Sequence, residues 1–255
     1  MKTIILAGGF GTRLSEETES RPKPMVEIGG RPILWHIMKT YAHHGFDEFV
    51  LALGYKADFV KKYFLEYATY SGNLTVQIRN GESKILQREQ DEWTIHLEDT
   101  GLDTMTGGRI KKLADWIGNE PFLLTYGDGV SNVDIKKVIE FHKKQKKLAT
   151  ITAVRPPARY GGLFMEGDLV KNFTEKPQAG EGWINGGFMV CEPQIFSMIQ
   201  GTKSSLEAEL LEELSRQGEL AAYRHEGFWQ CMDTQRDLKY LEELWSTGEA
   251  PWKVW

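Results

Sequence analysis

The stretch Thr3-Ile4-Ile5-Leu6-Ala7-Gly8-Gly9-Phe10-Gly11-Thr12-Arg13 is a short apolar run that ends abruptly in glycines. A continuous apolar run of this length suits a strand covered on both faces, as in a parallel sheet. Residues 31–44 carry apolar side chains at Ile33, Leu34, Ile37, Met38 and Tyr41, which is helical spacing, with Gly45 as the stop. Glu48–Leu53 reads as a second buried strand. Ala57–Ala68 reads as a second helix, with Phe59, Val60, Tyr63, Phe64 and Tyr67 along one side. The β-α-β-α order predicts an α/β fold: a Rossmann-like mixed, mainly parallel sheet flanked by helices.

Further along, Leu74–Arg79 and Thr94–Leu97 alternate like strands, and the polar Gly81–Asp91 between them predicts a long loop or lid. Ile110–Ile117 predicts a helix and Pro121–Tyr126 a buried strand ending at Gly127-Asp128-Gly129. Val133–Lys147 predicts a helix whose lysine-rich end is solvated and complements the dipole, and Ala149–Val154 a strand. Hairpin-like strands near Leu163–Phe173 and Trp183–Val190 predict a small β-rich part. Short helices at Pro193–Gln200 and Ser205–Gln217 and a last helix at Gln235–Ser246 follow. No repeat or low-complexity linker divides the 255 residues, so one continuous domain is expected.

Composition narrows the function classes. With 31 Lys+Arg against 36 Asp+Glu the net charge is −5, so the footprint of a nucleic-acid binder is missing, although a local pocket can still be basic. The longest apolar runs, Ile4–Ala7 and Phe49–Leu53, fall far short of the ~20 residues that span a bilayer. No signal peptide is legible, and the expectation is a cytoplasmic protein without a membrane partner. Cys191 and Cys231 read as two buried thiols rather than a disulfide framework.

Glycines let backbone N–H groups approach a ligand, so Gly8–Arg13 after a strand is an arrangement that suits phosphate, or simply a tight βα turn. The P-loop needs a Gly-Lys pair, which the chain lacks. The dinucleotide fingerprint aligned on Gly9 and Gly11 demands glycine where Leu14 stands, which weakens a dehydrogenase. Lys23 lies between Pro22 and Pro24, which predicts an extended, stiffened lysine near the loop. Arg13 and Lys23 together suit a triphosphate.

Leu6-Ala7-Gly8-Gly9-Phe10-Gly11-Thr12-Arg13-Leu14 with Pro22-Lys23-Pro24-Met25 resembles the signature of sugar-1-phosphate nucleotidyltransferases. Tyr126-Gly127-Asp128-Gly129, Glu175-Lys176-Pro177 and Asn185-Gly186-Gly187-Phe188 resemble its later motifs, in order. Trp35-His36-Ile37-Met38, Met105-Thr106-Gly107-Gly108-Arg109, Gly227-Phe228-Trp229-Gln230 and Ala250-Pro251-Trp252-Lys253 resemble the subgroup that transfers cytidylyl groups. The resemblance implies CTP and α-D-glucose 1-phosphate as substrates, CDP-glucose and pyrophosphate as products, and a place in dideoxysugar and O-antigen synthesis. It also implies Mg²⁺ as cofactor and a homo-oligomer, with a hexamer as the candidate state.

By the resemblance, Leu6, Ala7, Gly8, Gly9, Phe10, Gly11, Thr12, Arg13, Lys23, Thr104, Arg109 and Asp128 bind the nucleotide. Arg13, Lys23 and Asp128 act at the reacting phosphates, and Asp128 and Asp233 hold the metal. Glu175, Lys176 and Asn185 meet the sugar phosphate. Residues 1–155 form the mainly nucleotide-binding half and 156–255 the sugar-binding and oligomerisation half. The competing expectations are a turn aspartate at Asp128, a solvent-facing Arg109, an exposed Glu175-Lys176 pair and a turn asparagine at Asn185. UTP or dTTP as donor, or a silent sugar-nucleotide sensor, stay open. So does the Trp-rich C-terminus (Trp245, Trp252, Trp255), which can bury against another subunit or its own domain.

Overall fold

The structure is a computed structural model, and it describes residues 1–11, 14–70, 73–86, 91–156, 162–166, 168–174 and 182–255. Thr3–Leu6 lies near the middle of an eight-stranded sheet. It pairs in parallel with Glu48–Leu53 on one side and Phe122–Tyr126 on the other, and Thr94–Asp99 extends the parallel part beyond Glu48–Leu53. The helices Ile33–His43 and Ala57–Tyr70 make the crossovers that parallel pairing requires. Both faces are covered. Ile5, Phe49, Leu51 and Leu123 enter one apolar cluster, while Ile4, Val50, Ala52 and Leu124 enter the other. Period-two side chains with two buried faces explain why these strands read as unbroken apolar runs.

The other half of the sheet is mainly antiparallel. Met189–Cys191 lies between Phe122–Tyr126 and Ala149–Val154 and runs against both. Ile184–Asn185 also pairs with Ala149–Val154, so the expected strand Trp183–Val190 is two short strands rather than one arm of a hairpin. The pairing Ala153↔Asn185 becomes Thr150↔Val190, a slip of two residues across Gly186-Gly187-Phe188. Phe188 takes φ +45° there, in the irregular stretch between the two short strands.

The remaining elements correct some expectations and bear out others. Glu82–Leu86, expected within a loop, is a strand paired with Asn73–Gln77. Thr75, Val76, Gln77, Glu82, Ser83 and Lys84 are all exposed, so no burial contrast stamps a pattern on these six positions. Leu220–Arg224, unassigned from sequence, pairs in parallel with Ala149–Val154. The expected helix Ile110–Ile117 starts earlier and breaks at Leu113, giving Thr106–Lys112 and Ala114–Ile117. Ser205–Gln217 opens as a π-helix, Leu206–Leu211. Leu163–Phe173 is a hairpin of Gly162–Glu166 with Leu169–Thr174. Lys143–Lys146 are exposed at the end of Ile135–Gln145. Trp252 is fully buried, and it packs on this chain's own His36, Phe228 and Trp245. No described helix is long and apolar enough to cross a membrane.

Candidate active site

The parallel strands end side by side. Leu6 is in register with Tyr126 and Ala52, and Gly127 N–H donates to Leu6 O at 3.0 Å. Chain segments leaving the C-terminal ends of such strands build ligand crevices. Here they wall a cavity of about 630 Å³. Leu6 to Gly11 form one wall, Leu102 to Thr106 with Arg109 the second, and Tyr126 to Asp128 with Lys23 and Asp233 the floor. Phe10, Leu102 and Met105 are exposed apolar side chains on its lining.

Lys23, expected in an extended segment, lies in a 3₁₀ turn, Lys23–Met25. Pro22 and Val26, on either side of the turn, are extended (φ −69°, ψ 150° and φ −70°, ψ 131°), and Pro24 sits in the first turn, where its missing N–H is not needed. The turn closes through Met25 N–H to Pro22 O at 2.8 Å and Val26 N–H to Lys23 O at 3.1 Å. Lys23 Nζ donates to Asp128 Oδ2 at 2.6 Å and to Asp233 Oδ1 at 2.5 Å. Burial alone pulls the ammonium's pKa down, but Asp128 and Asp233 outweigh it, and the net shift is upward.

Asp128 and Asp233 stand 105 residues apart in sequence, and a two-stranded ribbon joins them. Gly129–Ser131 pairs antiparallel with Trp229–Cys231, and Met232 N–H donates to Asp128 O at 2.8 Å. Asp233 is held from behind by the start of the last helix. Thr234 and Asp237 form a capping box, and the Asp233 N–H donates to Asp237 Oδ2 at 3.1 Å. Cys231 is partly rather than fully buried, and its thiol is pushed up to about 12 by burial and then by Asp233 and Asp128.

Arg109 is 4% exposed, so the solvent-facing alternative does not hold. Its terminal nitrogens donate to Gly8 O at 2.9 Å, Leu53 O at 2.9 Å, Gly101 O at 2.8 Å and Leu102 O at 3.2 Å. A fifth bond reaches Thr100 Oγ1 at 2.6 Å. One guanidinium therefore ties the glycine loop to the Leu53 strand end and to the second wall. A Cβ at Gly54 would stand 2.5 Å from Arg109 Nη1, and one at Gly8 would overlap the same group. Glycine at both positions follows from this close approach. Thr104 lines the cavity, with its hydroxyl donating to Thr100 O at 2.6 Å.

Asn185 lies outside the cavity lining but reaches it through Tyr126, whose hydroxyl accepts from Asn185 Nδ2 at 3.3 Å. The Tyr126 hydroxyl then donates to Glu207 Oε1 at 2.8 Å, while Glu207 Oε2 accepts from Thr106 at 2.8 Å and Ser205 at 3.0 Å. Tyr126 and Glu207 line the cavity and were not among the expected site residues. Tyr126 stood within a quoted motif. Glu207 carried no signal, being one glutamate of several in an amphipathic run. Thr12, Arg13, Glu175 and Lys176 lie outside the described residues.

A sequence profile of the family described as nucleotidyl transferase matches residues 2–242. The chain belongs to the nucleotidyl transferase family. It is 49% identical to the glucose-1-phosphate cytidylyltransferase of Salmonella typhi over 256 residues, covering all of both chains. It is 31% identical over 241 residues to the mannose-1-phosphate guanylyltransferase catalytic subunit beta of Drosophila melanogaster, covering 93% of this chain and 60% of that protein. Among solved structures, HddC from Yersinia pseudotuberculosis complexed with GMP-PN matches with TM-score 0.69 and 25% identity, covering 96% of this chain and 99% of that one. The mainly parallel sheet flanked by helices is thus the nucleotidyl transferase fold.

Proposed function

We propose that this chain is a glucose-1-phosphate cytidylyltransferase, joining CTP and α-D-glucose 1-phosphate into CDP-glucose and pyrophosphate. The observation that carries the reading is the Lys23–Asp128–Asp233 corner on the floor of the glycine-walled cavity. The full-length 49% identity to the Salmonella typhi enzyme supports the choice of base and sugar. A phosphate oxygen of the sugar phosphate attacks the α-phosphorus of CTP in line. The bond to the β-phosphate breaks, and its electron pair leaves with pyrophosphate. No protein nucleophile is needed, so the side chains act by positioning and charge neutralisation.

The loop Gly8–Gly11 offers backbone groups to the nucleotide, and Lys23 meets the phosphates. Arg13 belongs to the same loop in this reading. Asn185, together with Glu175 and Lys176, takes the sugar phosphate. The 1–155 half then carries most nucleotide contacts and the 156–255 half most sugar contacts. Among the described residues no cluster of three or more His, Cys, Asp or Glu side chains gathers. Two partly exposed carboxylates are nonetheless the oxygen set that Mg²⁺ takes when phosphates and water complete its shell. Bound by Asp128 and Asp233, the ion would neutralise triphosphate charge and favour the in-line geometry.

The test is pyrophosphate release with glucose 1-phosphate, Mg²⁺ and CTP, UTP, dTTP, ATP or GTP in separate wells. Release with CTP well above the other four is the expected result. Equal release with UTP would reassign the base and keep the mechanism. No release with any nucleotide would overturn the reading in favour of a sensor.

A further inference from the structure

The Lys23 ammonium is bonded at once to one oxygen of Asp128 and one of Asp233. Those two carboxylates are also the pair that suits a divalent ion, so one cation is already seated where another would bind. Of the three side chains Lys23 is the most enclosed, at 11% exposed against 33% for Asp128 and 19% for Asp233. A divalent ion brought to this pair meets the repulsion of the ammonium, and either cation must give up carboxylate bonds to make room.

The lysine can give way without the backbone moving. Its turn is fixed by the Met25 and Val26 hydrogen bonds, while its four-carbon stem is flexible. It lines the same cavity as Gly8 to Gly11, so an anion held by that loop lies within the space the ammonium can sweep.

We propose that Lys23 is a displaceable counter-ion for Asp128 and Asp233, competing with a divalent cation for them. Nucleotide phosphates take up the displaced ammonium. The proposal rests on the reading of Asp128 and Asp233 as cation ligands. Its consequence is that the free protein binds a divalent ion weakly, and that phosphate and metal binding reinforce each other. Lys23 thereby offsets one of the two carboxylate charges and keeps both side chains aimed until substrate arrives.

The experiment titrates the full-length chain, without nucleotide, with Mn²⁺, reading the free ion by electron paramagnetic resonance. Lys23→Met removes the charge at similar length and should tighten Mn²⁺ binding at least about tenfold. Lys23→Arg keeps the charge and should stay within about threefold of the parent. Equal or weaker binding by Lys23→Met overturns the competition. Adding Asp128→Asn or Asp233→Asn to Lys23→Met should abolish the gain. If the gain survives both, the ion-ligand reading fails instead, and the proposal with it. A measurement on the unaltered chain guards against a variant that does not fold. Amine-reactive labelling read by mass spectrometry should rise severalfold at Lys23 in millimolar Mn²⁺. Unchanged labelling at Lys23 overturns the proposal.

Discussion

Lys23 on the cavity floor and His36 under the C-terminal tryptophans are both basic side chains taken out of water, and the two regions treat them oppositely. Around Lys23, two carboxylates outweigh the burial that lowers its pKa, and the ammonium is stabilised. His36 is 0% exposed and packed edge-on against Trp245, with ring centroids 4.7 Å apart. Trp252 Nε1 donates to His36 Nδ1 at 3.3 Å, so the proton belongs on Nε2, which donates to Ile28 O at 2.8 Å. Burial lowers its pKa to about 4, the backbone bonds to Ile28 and Arg31 oppose this, and the charges of Arg31 and Lys253 lower it further. Burial acts alike on both groups. What differs is the sign of the neighbours, and that sign separates a charged working site from a neutral structural one.

If the two regions are as different as this, their variants fail in different assays. Asp128→Asn and Asp233→Asn should each lower pyrophosphate release at least about 10³-fold, through lost charge neutralisation at the phosphates. A loss below tenfold in either would remove that carboxylate from the reacting centre. Trp252→Ala empties a fully buried indole site and should cost about 3–5 kcal/mol of stability in urea unfolding. Its turnover per folded molecule should match the parent, because Trp252 does not line the cavity. A Trp252→Ala protein of normal stability and low turnover would erase the division between the regions.

The pH dependence sharpens the same contrast. The folded pKa of His36 lies near 4 against an ordinary 6.5, so between these values the unfolded chain binds the proton and the folded chain does not. The stabilisation is whole above pH 6.5, is lost as pH falls from 6.5 toward 4, and falls no further below. The shift corresponds to about 3 kcal/mol. His44 and His225, also lowered chiefly by burial, act in the same direction. Urea midpoints at pH 7.5 and pH 5 should differ clearly in the parent and by about half as much in His36→Gln. An unchanged difference would mean that His36 is protonated in the folded state.

Legibility in the sequence follows the same physics. Strands buried on two faces, such as Thr3–Leu6 and Phe122–Tyr126, showed as apolar runs, and helices with one buried stripe showed as 3.6-residue periods. In the hairpin, the strand Asn73–Gln77 showed through the alternation of Leu74–Arg79, whereas its partner Glu82–Leu86 fell in a polar stretch that reads as a loop. The convergence of Asp128 and Asp233 depends on a ribbon whose strands are about a hundred residues apart, which no local pattern encodes. Their joint placement could be anticipated only through family resemblance. Glu207 carried no signal of either kind, because its place at the cavity is set by the packing of its helix against Thr106. Lys23 was located by its flanking prolines, but those prolines suggested extension where the chain makes a tight turn.

Arg109 is a third buried base, and it falls between the other two. It keeps its charge, and the acceptors on its terminal nitrogens are four backbone carbonyls and one hydroxyl. Carbonyl dipoles satisfy a planar fork because the fork reaches several of them at once, which an ammonium on a single nitrogen cannot do. Arg109→Lys therefore keeps the charge and loses at least two of the five bonds. The expected cost is about 1–3 kcal/mol in unfolding, from carbonyls left without a donor. The glycine loop should also loosen at Gly8, raising KM for CTP about tenfold while kcat stays within about threefold. An equal loss in kcat would place the guanidinium on the reacting phosphates, as at Lys23. No loss of either kind would mean that charge alone suffices at this position, as the carboxylates make it suffice for Lys23.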